Sequence, residues 1–307
     1  MPSPPSGTQS TIRSGPQEAI VTEVGASLRS YTVDGADVMD GFALDEMSSA
    51  GRGQILAPWP NRLEDGSYER YGKDAHAALD EPANANAIHG LVRWLPWTVR
   101  SQGPAQIELG CVLHPQPGYP WRLDLTVAYE LGRGGLEVTM NATNLSDGPA
   151  PFGVGFHPYV TLGGSIDDAF LTIPAGRRLL SDDRGLPTTD ESVKETAFDF
   201  TTRRRIGVTQ LDTAYLDLTR GDDGRVRVEV DDGDRGASVT VWAGRGFDYL
   251  MVYTGDTLEP VLRRRRGIAI EPMTCPPNAL RTGSGVIRLQ PEGSWTGSWG
   301  IVKGESP

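Results

Sequence analysis

Two histidines and one glutamate sit in sequence contexts that suit proton transfer. His89 lies in Asn86-Ala-Ile-His89-Gly90-Leu91, and His157 in Gly153-Val-Gly-Phe-His157-Pro-Tyr159. A lone histidine in a strand-rich protein is more often a satisfied structural residue than a catalyst, and that reading stays open for both. For His157, the glycines before it and the proline after it describe a backbone held on a tight, irregular path of the kind that borders a cleft. Glu271 ends the apolar run Ile268-Ala-Ile270 and precedes Pro272, which cannot continue a ladder. The strand is therefore expected to stop there and leave the carboxylate at a sheet rim. Partial desolvation at a rim raises a carboxylate's proton affinity, as a general base working near neutral pH requires. The plainer alternative is a strand-end glutamate paired with a neighbouring arginine.

Asp212 adds a further acid beside the apolar stretch that follows it, and Ala57-Pro-Trp-Pro-Asn61-Arg62-Leu-Glu-Asp-Gly66 offers an amide and a guanidinium between turns. Such groups suit the hydroxyls of a polyol, because paired donors and acceptors fix its orientation. Rings such as Trp59, Trp94 or Tyr159 are candidates to cover its apolar C–H face. Taken one at a time, each of these residues reads as structural more readily than as functional.

The elements that must position them are strands. With 38 glycines and 23 prolines, the chain is punctuated so often that the segments between are short, and many alternate apolar with polar residues. Arg122 to Leu131 and Leu136 to Asn144 alternate in this way, as does Arg225 to Val230, so successive side chains fall on opposite faces. Gly132-Arg-Gly-Gly135 joins the first two as a hairpin. Further strands are expected over Ala19 to Val24, Ser27 to Val33, Trp97 to Ser101, Ile107 to Leu113, Ala237 to Ala243, Tyr249 to Tyr253, Ile268 to Ile270 and Ser284 to Gln290. No segment carries useful helical periodicity, so the chain reads as all-β, a sandwich or barrel. No composition shift marks a linker: residues 16–304 read as one domain, preceded by a Ser- and Pro-rich disordered tail over residues 1–15.

A net charge of −11 repels nucleic acid and anionic membranes over most approach directions, which leaves neutral small molecules as the expected partners. The arginine runs Arg203 to Arg205 and Arg263 to Arg266 are the exception: they read either as a hold for phosphate or an acidic partner, or as solvated loops offsetting local acid. Cys111 and Cys275 form no metal or redox spacing, so neither a metal knuckle nor a structural disulfide is expected. No stretch reaches the roughly 20 apolar residues that span a bilayer, and the N-terminus has no apolar segment of a secretory signal. The expected location is the cytoplasm.

Taken in order, Asn61-Arg62-Leu-Glu-Asp-Gly66, Ile88-His89-Gly90, Phe156-His157-Pro158-Tyr159, Leu211-Asp212 and Ile270-Glu271-Pro272 resemble the succession found in the aldose 1-epimerase (galactose mutarotase) family. Gly118-Tyr119-Pro120 and the following hairpin are also similar to its central region. The resemblance implies a large antiparallel β-sandwich of the galactose mutarotase-like type, with the site in a cleft on one sheet, no metal and no cofactor. It implies His157 as general acid and Glu271 as general base, with Arg62, His89 and Asp212 binding the sugar and Asn61 adjoining them. It also implies a monomer or homodimer acting on a small-molecule sugar. Two departures, Thr-Ala-Tyr after Asp212 in place of a histidine and Gly-Phe before His157 in place of Thr-Asn, look like a divergent bacterial branch and bear on substrate identity more than on reaction type. Other readings are a carbohydrate-binding protein without catalysis, a hexose-6-phosphate mutarotase of the same family, and a glycoside hydrolase using Asp212 and Glu271 as its carboxylates.

Overall fold

A computed structural model describes residues 3–233 and 236–304. Its ladders are antiparallel, and two large sheets carry most of them. The nine-stranded sheet runs in the spatial order Thr98–Gln102, Gln106–Leu113, Leu123–Gly132, Gly135–Asn144, Ser294–Gly304, Ser238–Ala243, Val226–Asp231, Phe170–Thr172 and Arg204–Arg205. At its centre the predicted alternation holds: Leu123, Leu125, Val127, Tyr129 and Leu131 are buried along one strand and Leu136, Val138, Met140 and Ala142 along the next. Gly132 pairs with Gly135 across a two-residue turn, as expected.

The eight-stranded sheet carries the chemistry-bearing residues. Its order is Pro187–Ser192, Ala175–Ser181, Asp212–Leu218, Tyr249–Tyr253, Ile268–Met273, Gly155–Phe156 and Ile55–Leu56, with Tyr159–Val160 also pairing with Ile268–Met273. A four-stranded sheet, Gln9–Ser14, Gln17–Thr22, Leu28–Val33 and Ala36–Asp37, packs on the same core. The only α-helix among the described residues is the single turn Ala279–Thr282. No helix is long and apolar enough to cross a membrane.

Two expectations are corrected. Gln9–Ser14 falls in the segment read as a disordered tail, yet it forms a six-residue ladder with Gln17–Thr22 and buries Ile12 completely; residues 1–2 of that segment lie outside the described residues. Ile268–Met273 does not stop at Glu271, for all six of its residues are buried within the sheet. Pro272 fits because of where its nitrogen faces. The amides of Ile270 and Thr274 donate along the same edge to the carbonyls of Pro158 and Val154, and between those rungs the neighbouring chain leaves its strand from Phe156 to Tyr159. At that gap no ladder donor is required of residue 272.

Candidate active site

Register brings His157 and Glu271, the pair expected to transfer protons, together. Gly155 pairs with Met273 and Tyr159 with Ala269, so His157, midway between, stands opposite Glu271. Extended across the sheet, the same registers set Ala214, Met251, Glu271 and His157 in one row, with Asp212, Tyr253, Ala269 and Tyr159 in the next, all on one face. His157 Nε2 lies 3.3 Å from Glu271 Oε1, and both side chains are almost completely buried. The second polar atoms of the pair, His157 Nδ1 and Glu271 Oε2, are buried without a protein partner.

Asn61, Arg62 and His89 arrive from outside this sheet. Asn61, in the left-handed region at φ +56°, turns the chain into the strand Arg62–Glu64, which pairs with Asn86–Ile88. That places His89 beside Asn61: the Asn61 carbonyl accepts from the His89 amide at 2.9 Å, and the Asn61 amide donates to His89 Nδ1 at 3.2 Å. A backbone N–H can only donate, so neutral His89 carries its proton on Nε2 and is a hydrogen-bond donor there. Its ring meets that of His157 edge-on, with centroids 5.4 Å apart. Arg62 is held in a fork by Glu81, Nε to both carboxylate oxygens and Nη2 to one of them at 3.0 to 3.1 Å.

All six predicted residues, Asn61, Arg62, His89, His157, Asp212 and Glu271, line one open cleft of about 390 Å³, within the range of small-molecule sites. Tyr159 and Tyr253 also line it, as do Arg93 and Met251. Tyr253 escapes a reading of the sequence because only the register with Asp212 places it there. Of the rings considered as a cover for a sugar, Tyr159 alone lines the cleft: Trp59 is buried in the core and Trp94 is exposed beside Arg93. Among the described residues, no three His, Cys, Asp or Glu side chains are grouped as metal ligands.

Burial dominates the electrostatics. It raises the Glu271 carboxyl well above the usual carboxylate range, with the Asp212 charge adding to the rise and Arg62 opposing it. Burial pushes His157 down to about 3, assisted by the positive charges of Arg52 and Arg93, and His89 is likewise held far below its ordinary value. Burial thus biases the free pair toward a protonated carboxyl beside a neutral imidazole. Asp212 is exposed at the mouth, though the surrounding protein still raises its proton affinity, opposed by Arg62.

Most of the arginine runs are tied to local acids. Arg203 pairs with Asp231, Arg205 with Asp168, Arg263 with Glu46, Arg264 with Glu259, and Arg265 with Asp167 and Asp256. Neither run lines the cleft; the two arginines that do, Arg62 and Arg93, pair with Glu81 and Asp80.

Comparison with known proteins bears on the fold and the family. The Escherichia coli (strain K12) protein YihR, itself described as uncharacterized, is 31% identical over 287 residues, 93% of this chain and 90% of that protein. Among solved structures, the GalM/aldose epimerase homologue from C. elegans superposes with a TM-score of 0.87 at 19% identity, covering 98% of this chain and 100% of its own. Galactose 1-epimerase from Lactobacillus acidophilus NCFM superposes at 0.81 with 20% identity, covering 97% of this chain and 95% of its own. These two likenesses bear on the fold, which is that of the galactose mutarotase-like proteins. Residues 9–301 match the family described as Aldose 1-epimerase, and the chain belongs to that family.

Proposed function

We propose that this protein interconverts the α and β anomers of a free, uncharged hexose by opening and reclosing the ring. One observation carries the reading: an imidazole and a carboxyl, almost completely buried and 3.3 Å apart, on the floor of an open cleft. In ring opening, Glu271 accepts the proton of the C1 hydroxyl while His157 delivers one to the ring oxygen, so that the bond from C1 to the ring oxygen breaks and an aldehyde forms. Rotation about C1–C2 presents the other carbonyl face, and the same transfers in reverse close the ring as the other anomer. From the form burial favours, the carboxyl proton first passes from Glu271 to His157 across their 3.3 Å contact; opening then begins from imidazolium and carboxylate and ends at neutral histidine and protonated glutamate. Each proton transfer of this type contributes about 10² to 10⁴ in rate.

His89 Nε2–H, Arg62, Asp212 and the neighbouring Asn61 are placed to hold hydroxyls away from C1, which must turn freely. The cleft basic groups already have acidic partners, and Asp212 adds a further carboxyl at the mouth, which disfavours a phosphorylated sugar. Two buried, unbridged cysteines, Cys111 and Cys275, fit a cytoplasmic location. Exchange NMR of the anomeric protons tests the reading. Wild type is expected to exchange α- and β-hexose rapidly, uncharged hexose faster than its 6-phosphate. Glu271→Gln and His157→Asn are each expected to lose most turnover while remaining folded. Binding at saturation without exchange would make the protein a carbohydrate-binding module instead.

A further inference from the structure

His157 is enclosed by groups that take no part in the proton transfers just described. The turn from Ser49 to Gln54 wraps its backbone: the Gly53 amide donates to the His157 carbonyl at 2.9 Å, and the His157 amide donates to the Gln54 carbonyl at 3.1 Å. From this turn Arg52 projects inward and is 1% exposed. Its Nη2 and Nε donate to Asp40 Oδ2 at 3.0 and 3.3 Å, and its Nη1 donates to the Ser49 carbonyl at 3.3 Å. Its guanidinium carbon lies 4.4 Å from the centre of the Tyr159 ring. On that ring the His157 imidazole is stacked, 5.0 Å between centroids and 16° between planes. The Tyr159 hydroxyl donates back to the Ala50 carbonyl at 3.1 Å, which closes the assembly.

Burying a guanidinium is costly even when it is paired, and apolar residues of similar volume generally fill such space at lower cost. We propose that Arg52, clamped by Asp40, is a positioning residue for His157: guanidinium, phenol ring and imidazole form one stack that fixes the plane in which Nε2 is presented to Glu271 and the sugar. The inference rests on the proton-transfer role proposed for His157. An electrostatic effect accompanies the geometric one. The Arg52 charge adds to burial in disfavouring the imidazolium of the free protein. The other groups around His157 are Glu271 opposite it, His89 edge-on to its ring, Tyr159 beneath it and the more distant charge of Arg93.

The test compares Arg52→Met and Arg52→Lys with wild type, reading kcat and KM by anomeric exchange, folding by thermal melting, and the His157 ring protons by NMR, assigned by their loss in His157→Asn. Arg52→Met is expected to lower kcat by about tenfold or more with KM within about threefold. It is expected to move the His157 ring signals off their Tyr159-stacked positions and its titration upward. Arg52→Lys is expected to hold the titration near the wild-type position and recover part of kcat. A folded Arg52→Met with wild-type kcat and ring signals overturns the proposal, as does a parallel decline of kcat and KM that lysine does not relieve. Should Arg52→Met fail to fold, Tyr159→Leu removes the middle of the stack and leaves the Asp40–Arg52 pair; unchanged kcat in that variant overturns the proposal equally. If wild type shows no exchange, the functional reading fails, but the ring signals, which need no turnover, still decide whether Arg52 holds the imidazole.

Discussion

Gly51→Ala offers a sharp test of how tightly the imidazole is held. Gly51 has φ +77°, and a Cβ built on it would lie 2.3 Å from His157 Cδ2 and 2.8 Å from Nε2, where ordinary contact begins at 3.4 Å. The ring must therefore retreat by about 1 Å. Backbone movement cannot supply this without breaking the rungs to Gly53 and Gln54, so the retreat falls on the side-chain torsions, against the Tyr159 and His89 rings. A displacement of about 1 Å at a reacting group costs on the order of 10²-fold in rate, or roughly 2.7 kcal/mol of transition-state stabilisation. Alanine in the left-handed region adds about 1 kcal/mol or somewhat more of strain, a loss of stability but not of the fold. The expected result is a folded protein with a modestly lower Tm, near-normal KM and kcat about a hundredfold down by exchange NMR. A kcat within about threefold of wild type would refute the tight placement of His157.

The Arg62–Glu81 fork holds the guanidinium at the cleft, so Glu81→Gln is expected to raise KM by about tenfold, near 1.4 kcal/mol, with kcat little changed; a wild-type KM would remove Arg62 from substrate binding. Between pH 7 and pH 5 the unfolded chain protonates His157 and His89 while the folded chain does not, so both lower stability on acidification. Glu271 acts oppositely over that window, because its folded carboxyl keeps a proton that the unfolded one has lost. Glu271→Gln should consequently lose stability more steeply as pH falls, by up to roughly 1.4 kcal/mol per pH unit, and parallel urea-denaturation series at pH 5, 6 and 7 for the two proteins would contradict the raised carboxyl. Leu125→Ala, at a fully buried position in the central hairpin, is expected to cost about 2 to 5 kcal/mol in denaturant while leaving KM alone; a loss below about 1 kcal/mol would place the core elsewhere.

Strands with strict alternation were legible because their period shows in the residues themselves, as from Leu123 to Asn144. Ser294–Gly304 was not, because side chains of neighbouring strands and of the strand itself fill the space at its glycines. A side chain at Gly300 would strike the Trp242 ring and the Leu136 carbonyl, and one at Gly297 would strike Trp295, so glycines that signal a turn locally serve sheet packing here. Gln9–Ser14 escaped because one apolar residue, Ile12, anchors it in polar surroundings. At the site, the family resemblance carried by the succession of motifs chose the six side chains, which line one cleft, yet whether His157 and Glu271 meet depends on registers that no local pattern reveals. Arg52 lies in Gly-Arg-Gly, which reads as a surface turn; only the burial of its guanidinium against Asp40 and Tyr159 marks it. The glutamate was placed at a strand end on the rule that proline breaks ladders, and the rule failed because the partner strand is itself interrupted opposite Pro272.

That interruption bears on local opening. The middle strands of a sheet ordinarily exchange their amide hydrogens most slowly, since they open only when much of the domain does. Here the most enclosed strand carries an imino acid at 272, while Pro158 supplies no amide opposite it. The amides of Ile270 and Thr274 on either side remain bonded to Pro158 and Val154. The stretch between those rungs thus lacks a ladder bond on that edge beside the cleft, so that an opening confined to it need not break the rungs on either side.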